Sequence, residues 1–483
     1  MKRSDAGFIP LVTLDGQGPL YRQLYAWFQR AIVEGRLKPG QRVASTRALA
    51  QELKISRIPV LTAYQQLHAE GYLETFVGAG TCVAASIPQD AFKPPAKTAR
   101  RPIAARLSQR VDAVLALPPD PQQPGAAFRV SLPALDHFPN EIWSSLLARH
   151  SRHPAARHLA YGDPMGDLAF REVIADYLGA ARAVRCEASQ IMIVAGSQHG
   201  LQIAARALLN DGDAVWMEEP GYPGAHRAFA IAGARAVPVP VDQDGLDVDA
   251  GMARAPHARA AYITPSHQYP MGMTMSATRR MQLLNWAARH DGWIIEDDYD
   301  SEYRFAGHPI AAVQGLSAED RVIYAGTFSK VLFPALRVGY LVIPKSLIAG
   351  FCAARDAIDL FPATLFQQAL TDFIRQGHFA RHIRRMRMLY IERRAALIAA
   401  ITHGLGQTLE IVSAEAGMHL VGLLPRGTDD RAISRKAAAI GLSAQPLSLC
   451  CLEKPKRPGL ILGYGGVDVR QIQAGVRQLA RLL

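Results

Sequence analysis

A chain of 483 residues, 49% hydrophobic and 20% charged, is long enough for more than one core and too apolar to stay disordered. Its net charge of +12 admits an anionic partner, and no apolar run nears the roughly 20 residues of a membrane span. Five cysteines with no C-x-x-C pair and no His cluster at metal spacing argue against a zinc site or a disulfide framework, and read as reduced thiols of a cytoplasmic protein.

The stretch MKRSDAGFIPLVTLDG has no continuous apolar segment of the kind a secretory leader carries. Residues 1–84 hold 10 Lys+Arg against 6 Asp+Glu, so per residue the positive excess is densest here. PLYRQLYAWFQRAIVEGRL places Leu20, Leu24, Trp27, Phe28 and Ile32 near one helical face, and Lys38-Pro39-Gly40 ends that helix. STRALAQELK follows, with Ser45 as the expected N-cap and Leu49 and Leu53 inward. SRIPVLTAYQQLHAEGYL opens a third helix at Ser56, where Pro59 is tolerated in the first turn. YLETFVGAGTCVAA then alternates around Gly78-Ala79-Gly80, the pattern of a short hairpin. Two helices at a tight turn plus a hairpin make a winged helix-turn-helix pattern over residues 12–84.

Such a third helix suits a DNA major groove. Arg47, Arg57, Thr62 and Tyr64 are the candidates for the base edges, and Arg42 and Lys54 for phosphate. Solvated charge on a plain helical bundle is the simpler reading of any single arginine; the order of the elements favours DNA.

Residues 85–127 are rich in Pro, Ala, Arg and Gln, with Pro94-Pro95, Pro118-Pro119 and Pro124-Gly125. They read as a semi-rigid linker with a short helix around Ile103 to Leu117. Over 128–483, helical patterns alternate with the apolar runs IMIVAG, AVWMEE, ARAVPVP, AAYITP, GWIIEDD, RVIYAG and GYLVIP, which predicts a mainly parallel α/β sheet.

Within that segment, Lys330 ends the predicted strand IYAGTFSK. A lone lysine is usually a surface charge, but this one has company suited to pyridoxal phosphate, which needs a carboxylate at its ring nitrogen, a phenol at its oxygen and N–H or cationic groups at its phosphate. In IIEDDYDSEYR, Asp297 and Tyr299 are two residues apart and share one side of a strand end. In VAGSQHGLQIAARAL, a glycine turn leads into a helix whose first amides, at Ser197 and Gln198, suit a phosphate.

These stretches carry a double resemblance. S-T-R-x-L-A-x-x-L-x-x-S-R and A-Y-x-x-L-x-x-E-G-Y-L followed by G-x-G-T resemble the winged helix of the GntR regulators, which implies DNA contacts at Arg47, Arg57 and the Gly80-Thr81 wing. Tyr161-Gly162-Asp163-Pro164-x-Gly166, Ala195-Gly196-Ser197-Gln198, Pro220-Gly221-Tyr222-Pro223, Asp297-Asp298-Tyr299 and Ser329-Lys330 with Arg337-x-Gly339-Tyr340 resemble the fold-type I aminotransferases in order and spacing. That likeness implies that Lys330 forms the internal aldimine, Asp297 meets the pyridine nitrogen, Tyr299 the phenolic oxygen and Tyr222 the ring face. Thr327, Arg337 and the Ser197-Gln198 amides would hold the phosphate. In that family the tyrosine matching Tyr161 comes from a partner subunit, which implies a homodimer.

Two positions depart from the aminotransferase pattern. Tyr269-Pro270-Met271-Gly272 stands where Asn-Pro-x-Gly is expected, and Ile461 stands where an arginine takes the substrate carboxylate. The nearest cation is Arg457, a candidate for an effector carboxylate or merely a loop charge. The MocR group of GntR regulators combines both halves, and TPSHQYPMG and EDDYDSEYR are similar to that group's versions of the motifs. The expectation is an N-terminal winged helix-turn-helix domain, a Pro-rich linker and a fold-type I aminotransferase-like domain used for sensing. The protein would be a regulator that binds operator DNA and pyridoxal 5'-phosphate and responds to that cofactor or an amino compound. A catalytically active aminotransferase with an appended regulatory domain, and a DNA-binding protein whose core has lost the cofactor, are the competing readings.

Overall fold

The computed structural model describes residues 12, 14, 16, 18–76, 80–85, 106–118, 126–305, 311–412 and 416–483. The Gly78-Ala79 part of the expected hairpin turn and the Pro94-Pro95 and Pro124-Gly125 parts of the expected linker lie outside them. The chain divides into two compact units, Met1–Arg106 and Leu107–Leu483.

In the first unit, α1 (Leu20–Val33) buries Leu24, Trp27, Phe28, Ala31 and Ile32, the i, i+3/i+4 stripe of an amphipathic helix, while Leu20 at its start is 37% exposed. Ser45 caps α2 (Thr46–Glu52), its hydroxyl accepting from the Ala48 amide at 3.2 Å. Ser56 occupies the cap position of α3 (Arg57–Ala69) without a side-chain cap bond. Strands β1 (Leu73–Phe76) and β2 (Gly80–Val83) pair antiparallel with Leu73 opposite Val83. Phe28 joins α1 to α3, its ring 5.2 Å from Tyr64 in an edge-on contact.

The second unit starts inside the expected linker. Helix α4 (Gln109–Leu115), capped by Ser108, belongs to it rather than to a free connection. Arg110 grips both oxygens of Asp211 at 2.7 and 2.6 Å, and Arg227 donates to the Pro118 carbonyl, so side chains from the folded body hold residues 109–118.

The body is an eight-stranded sheet formed by β3 (Ile191–Val194), β4 (Ala214–Glu219), β5 (Arg235–Asp242), β6 (Gly245–Leu246), β7 (Ala260–Ile263), β8 (Trp293–Asp298), β9 (Val322–Thr327) and β10 (Gly339–Val342). Their order is β3-β10-β9-β8-β7-β4-β5-β6. The five strands from β9 to β5 run parallel, and β10 is antiparallel to both its neighbours. The seven apolar runs picked out in the sequence all form strands here. Strands with every residue buried read as continuous apolar runs because helices cover both faces.

A second sheet went unread in the sequence. β11 (Glu410–Val412), β12 (His419–Leu423), β13 (Gln445–Pro446) and β14 (Gly459–Gly463) form an antiparallel layer in the order β11-β12-β14-β13. The helices His378–Leu405 and Val469–Leu479 share its core through Tyr390, Leu397, Leu420, Leu462 and Ile472. HLVGL and GLILG are too short and too uniformly apolar for periodicity to separate strand from helix.

Candidate functional site

The carboxyl ends of the parallel strands open into a cavity of about 420 Å³. This is where the α/β sheet architecture places ligands. Ser197, Gln198, Tyr222, Asp297, Tyr299, Thr327, Lys330 and Arg337 all line it, brought together from well-separated parts of the chain.

Asp297 and Asp298 end β8 and point to opposite sides. Asp298 is spent on structure, accepting from Arg182 Nε at 2.8 Å and Tyr324 Oη at 2.6 Å. Asp297 faces the cavity. Its Oδ2 accepts from Tyr262 Oη at 2.7 Å, while its buried Oδ1 has no partner. Burial pushes this carboxyl up to about 6; the Tyr262 hydrogen bond and the nearby Lys330 charge work the other way, and Asp298 and Asp300 reinforce the rise. Lys330 is partly buried at the cavity wall. Burial lowers its pKa; Asp300 and Asp297 oppose that, and the Arg129 and Arg337 charges add to it.

Gly196, at φ +86°, turns the chain into the helix Ser197–Leu208, whose first amides have no carbonyl partner within the helix. A Cβ at position 196 would stand 3.2 Å from Arg337 Nη1, so the bare glycine lets the guanidinium come up beside those amides. Arg337 itself sits in the left-handed region at φ +51°. Helix N-terminus and guanidinium together form an anion cradle.

Tyr222 and Tyr269 meet edge-on at 5.7 Å, and Tyr269 and Tyr299 at 6.0 Å. The Tyr299 hydroxyl lies 2.9 Å from His267 Nδ1, which also faces Asp300 Oδ1 at 3.0 Å. This buried His267–Asp300 pair, together with Arg129, Tyr262 and Thr264 in the cavity wall, was not assigned a role in the sequence reading. Their strands and loops are far apart in sequence, and only TPSHQYPMG and EDDYDSEYR, already singled out as motifs, hinted at the pair.

Three expected positions lie elsewhere. Arg457 is turned away from the cavity: its Nη1 pairs with Glu410 at 2.5 Å and its Nε donates to the Leu424 carbonyl. Tyr161 is 86% exposed, does not line the cavity of this chain, and touches the Phe361 ring. Tyr64, expected at base edges, is buried in the core of the first unit, where its hydroxyl donates to the Ala44 carbonyl at 2.9 Å and burial raises its pKa.

The other expected DNA residues remain on the surface of that unit. Arg47 and Arg57 are exposed, Arg57 Nε donating to Thr46 Oγ1 at 3.1 Å. Thr62 is partly buried and bonds back to the Ile58 carbonyl. Gly80, at φ +86°, lies against the Arg42 guanidinium. Beside Arg57, Ile58 is 74% exposed on α3, an apolar side chain of the kind that contacts thymine methyls and one that charge-based reading passes over.

Residues 20–83 match the family described as bacterial regulatory proteins, gntR family, and residues 144–447 match aminotransferase class I and II. A probable rhizopine catabolism regulatory protein, MocR, of Rhizobium meliloti is 42% identical over 470 residues, covering 96% of this chain and 94% of its own. The chain belongs to the MocR subfamily of GntR regulators. A second relative, the HTH-type pyridoxine biosynthesis transcriptional regulator PdxR of Corynebacterium glutamicum, is 31% identical, with 92% of each chain covered. Among solved structures, kynurenine aminotransferase of Pyrococcus horikoshii superposes with a TM-score of 0.69 at 28% identity, covering 78% of this chain and 95% of its own. Like other MocR regulators, this protein is a DNA-binding transcriptional regulator built on a winged helix and an aminotransferase fold, a fold whose family binds pyridoxal phosphate.

Proposed function

We propose that this regulator binds pyridoxal 5'-phosphate in the cavity described above and answers to that cofactor or to an amino compound by changing its grip on operator DNA. The observation that carries the reading is the unpaired, buried Asp297 Oδ1 in the same cavity as Lys330 and the Arg337–Ser197–Gln198 cradle. An anion cradle, a buried carboxylate with one oxygen free to accept, and a desolvated amine are the three groups that a phosphate, a pyridine N–H and an aldehyde require.

When bound, pyridoxal phosphate supplies an aldehyde that condenses reversibly with primary amines. The protein's own residues do the rest. The lowered pKa of Lys330 raises the share of neutral, nucleophilic amine. Asp297 would accept from the ring N–H through its free oxygen, and Tyr222 would hold the ring against the cavity wall. Asp300 holds His267, and His267 holds the Tyr299 hydroxyl, fixing that phenol in the cavity. An effector shifts DNA binding only through unequal affinity for two arrangements of the protein. The exposed Tyr161 supports a homodimer in which each cavity is completed from the partner, with two winged helices meeting two half-sites. Turnover as an aminotransferase is disfavoured by Ile461, fully buried on β14 where a carboxylate-binding arginine would stand.

The test is the visible spectrum of the full-length protein on adding pyridoxal phosphate, alongside operator binding at one fixed salt concentration. The parent should develop a cofactor band and a cofactor- or amine-dependent change in operator binding. Lys330→Ala should lose the band, keep basal operator binding and respond less. A parent with no band, or equal responses in the two proteins, sinks the reading.

A further inference from the structure

The strand position that aminotransferases use for carboxylate capture is Ile461, but a different arginine reaches the same cavity. We propose that Arg129 anchors the carboxylate of the effector, so that this site takes amino acids in preference to simple amines. This rests on the reading that the cavity holds pyridoxal phosphate.

Among the described residues, the cavity is lined by three cations: Lys330, Arg337 and Arg129. Lys330 is committed to the aldehyde, and Arg337 stands beside Gly196 and the helix N-terminus in the anion cradle. Arg129 is left. Among the described residues its guanidinium has no hydrogen-bond or ion-pair partner, unlike Arg457, which Glu410 already neutralises. A partly buried cation without a counter-charge on a cavity wall is a ready site for an anion.

Its placement is built into the backbone. The segment carrying Arg129 runs along β14, where Gly463 N donates to the Phe128 carbonyl at 2.9 Å. A Cβ on Gly463 would come within 2.1 Å of the Arg129 carbonyl oxygen, so only glycine permits this approach. Phe128 and Ser131, on either side, adopt φ values of +65° and +61°, conformations that persist only where the surroundings enforce them. Val130 packs in the same buried cluster as Ile461, Tyr269 and Tyr299. The segment beside β14 thus brings a cation to the cavity that Tyr269 and Tyr299 also line.

The positive charge of Arg129 also reaches Lys330, whose pKa it helps to lower. An anion at Arg129 would relieve that effect, which couples carboxylate binding to the state of the lysine.

The experiment uses full-length protein loaded with pyridoxal phosphate, titrated with ω-amino acids of two to five carbons. Each is compared with the alkylamine that carries a methyl group in place of the carboxylate, and the change in the cofactor band is followed. The parent should prefer at least one amino acid to its alkylamine by about 10- to 100-fold, the worth of a charge-assisted contact. Arg129→Gln should erase that preference while keeping the cofactor band, any shift that comes from the altered Lys330 being shared by amino acid and alkylamine alike, and Arg129→Lys should recover part of the preference. A preference that survives Arg129→Gln overturns the assignment. So does a parent that holds cofactor but prefers no amino acid, and so does loss of the band in Arg129→Gln at saturating cofactor. A parent without a band at the outset removes the cofactor reading itself, before any amino acid is added, and this assignment falls with it.

Discussion

Replacing Asp297 with asparagine should move the stability of the cofactor-free protein and its cofactor affinity in opposite directions. The carboxyl is raised from 3.8 to about 6, mainly by burial. A carboxyl whose pKa is higher in the folded state weakens the fold once the unfolded chain's carboxyl has ionised. The penalty begins near pH 4 and is complete above pH 6, where a rise of this size corresponds to roughly 3 kcal/mol. The amide oxygen of the substituted side chain would still accept from Tyr262, whose hydroxyl now meets Oδ2 at 2.7 Å, but it carries no charge to desolvate. Asp297→Asn without cofactor should therefore unfold about 3 to 5 °C higher than the parent at pH 8, with little gain at pH 4. With pyridoxal phosphate the order reverses, because a charge-assisted hydrogen bond to the ring N–H is lost: affinity should fall about 10- to 100-fold. Thermal melts at the two pH values and a spectral titration with cofactor measure both effects. A variant less stable than the parent at pH 8, with cofactor affinity unchanged, would refute the reasoning that Asp297 is a buried charge reserved for the cofactor.

Arg47→Ala and Arg57→Ala should each weaken operator binding by about 1–3 kcal/mol, measured by titration at fixed salt, and leave the cofactor spectrum unchanged; Tyr64→Phe, which removes only a core hydroxyl, should alter stability more than DNA contact. Sedimentation of the cofactor-loaded protein at micromolar concentration should give a dimer, and a monomer that retains cofactor would break the link between Tyr161 and a shared site. Steady transamination of common α-amino acids should run far below the roughly 10 per second of an ordinary enzyme, as a coupled assay would show, because Ile461 puts no charge on β14 and the cation that lines the cavity, Arg129, comes from a different segment and would hold a carboxylate elsewhere than that reaction needs it.

The two folded units and eight of the nineteen residues that line the cavity were legible in the amino-acid order alone. The reason is physical: Gly196 before a helix, Asp297 at the end of an apolar run and Lys330 in a strand-end turn are local features, readable wherever the chain writes strand, turn and helix in succession. Tyr64 shows the limit of that reading. Its position on α3 was right, but helical spacing alone did not say which face meets Phe28 and which meets solvent. Arg457 and Arg129 show it again, since sequence distance from β14 favoured the wrong arginine for proximity to the cavity. Packing in three dimensions turned Arg457 towards Glu410 and laid Phe128–Ser131 along Gly463. The same holds for the pairing of His267 with Asp300 and for the free oxygen of Asp297, because burial and the direction of a side chain depend on what packs across from it.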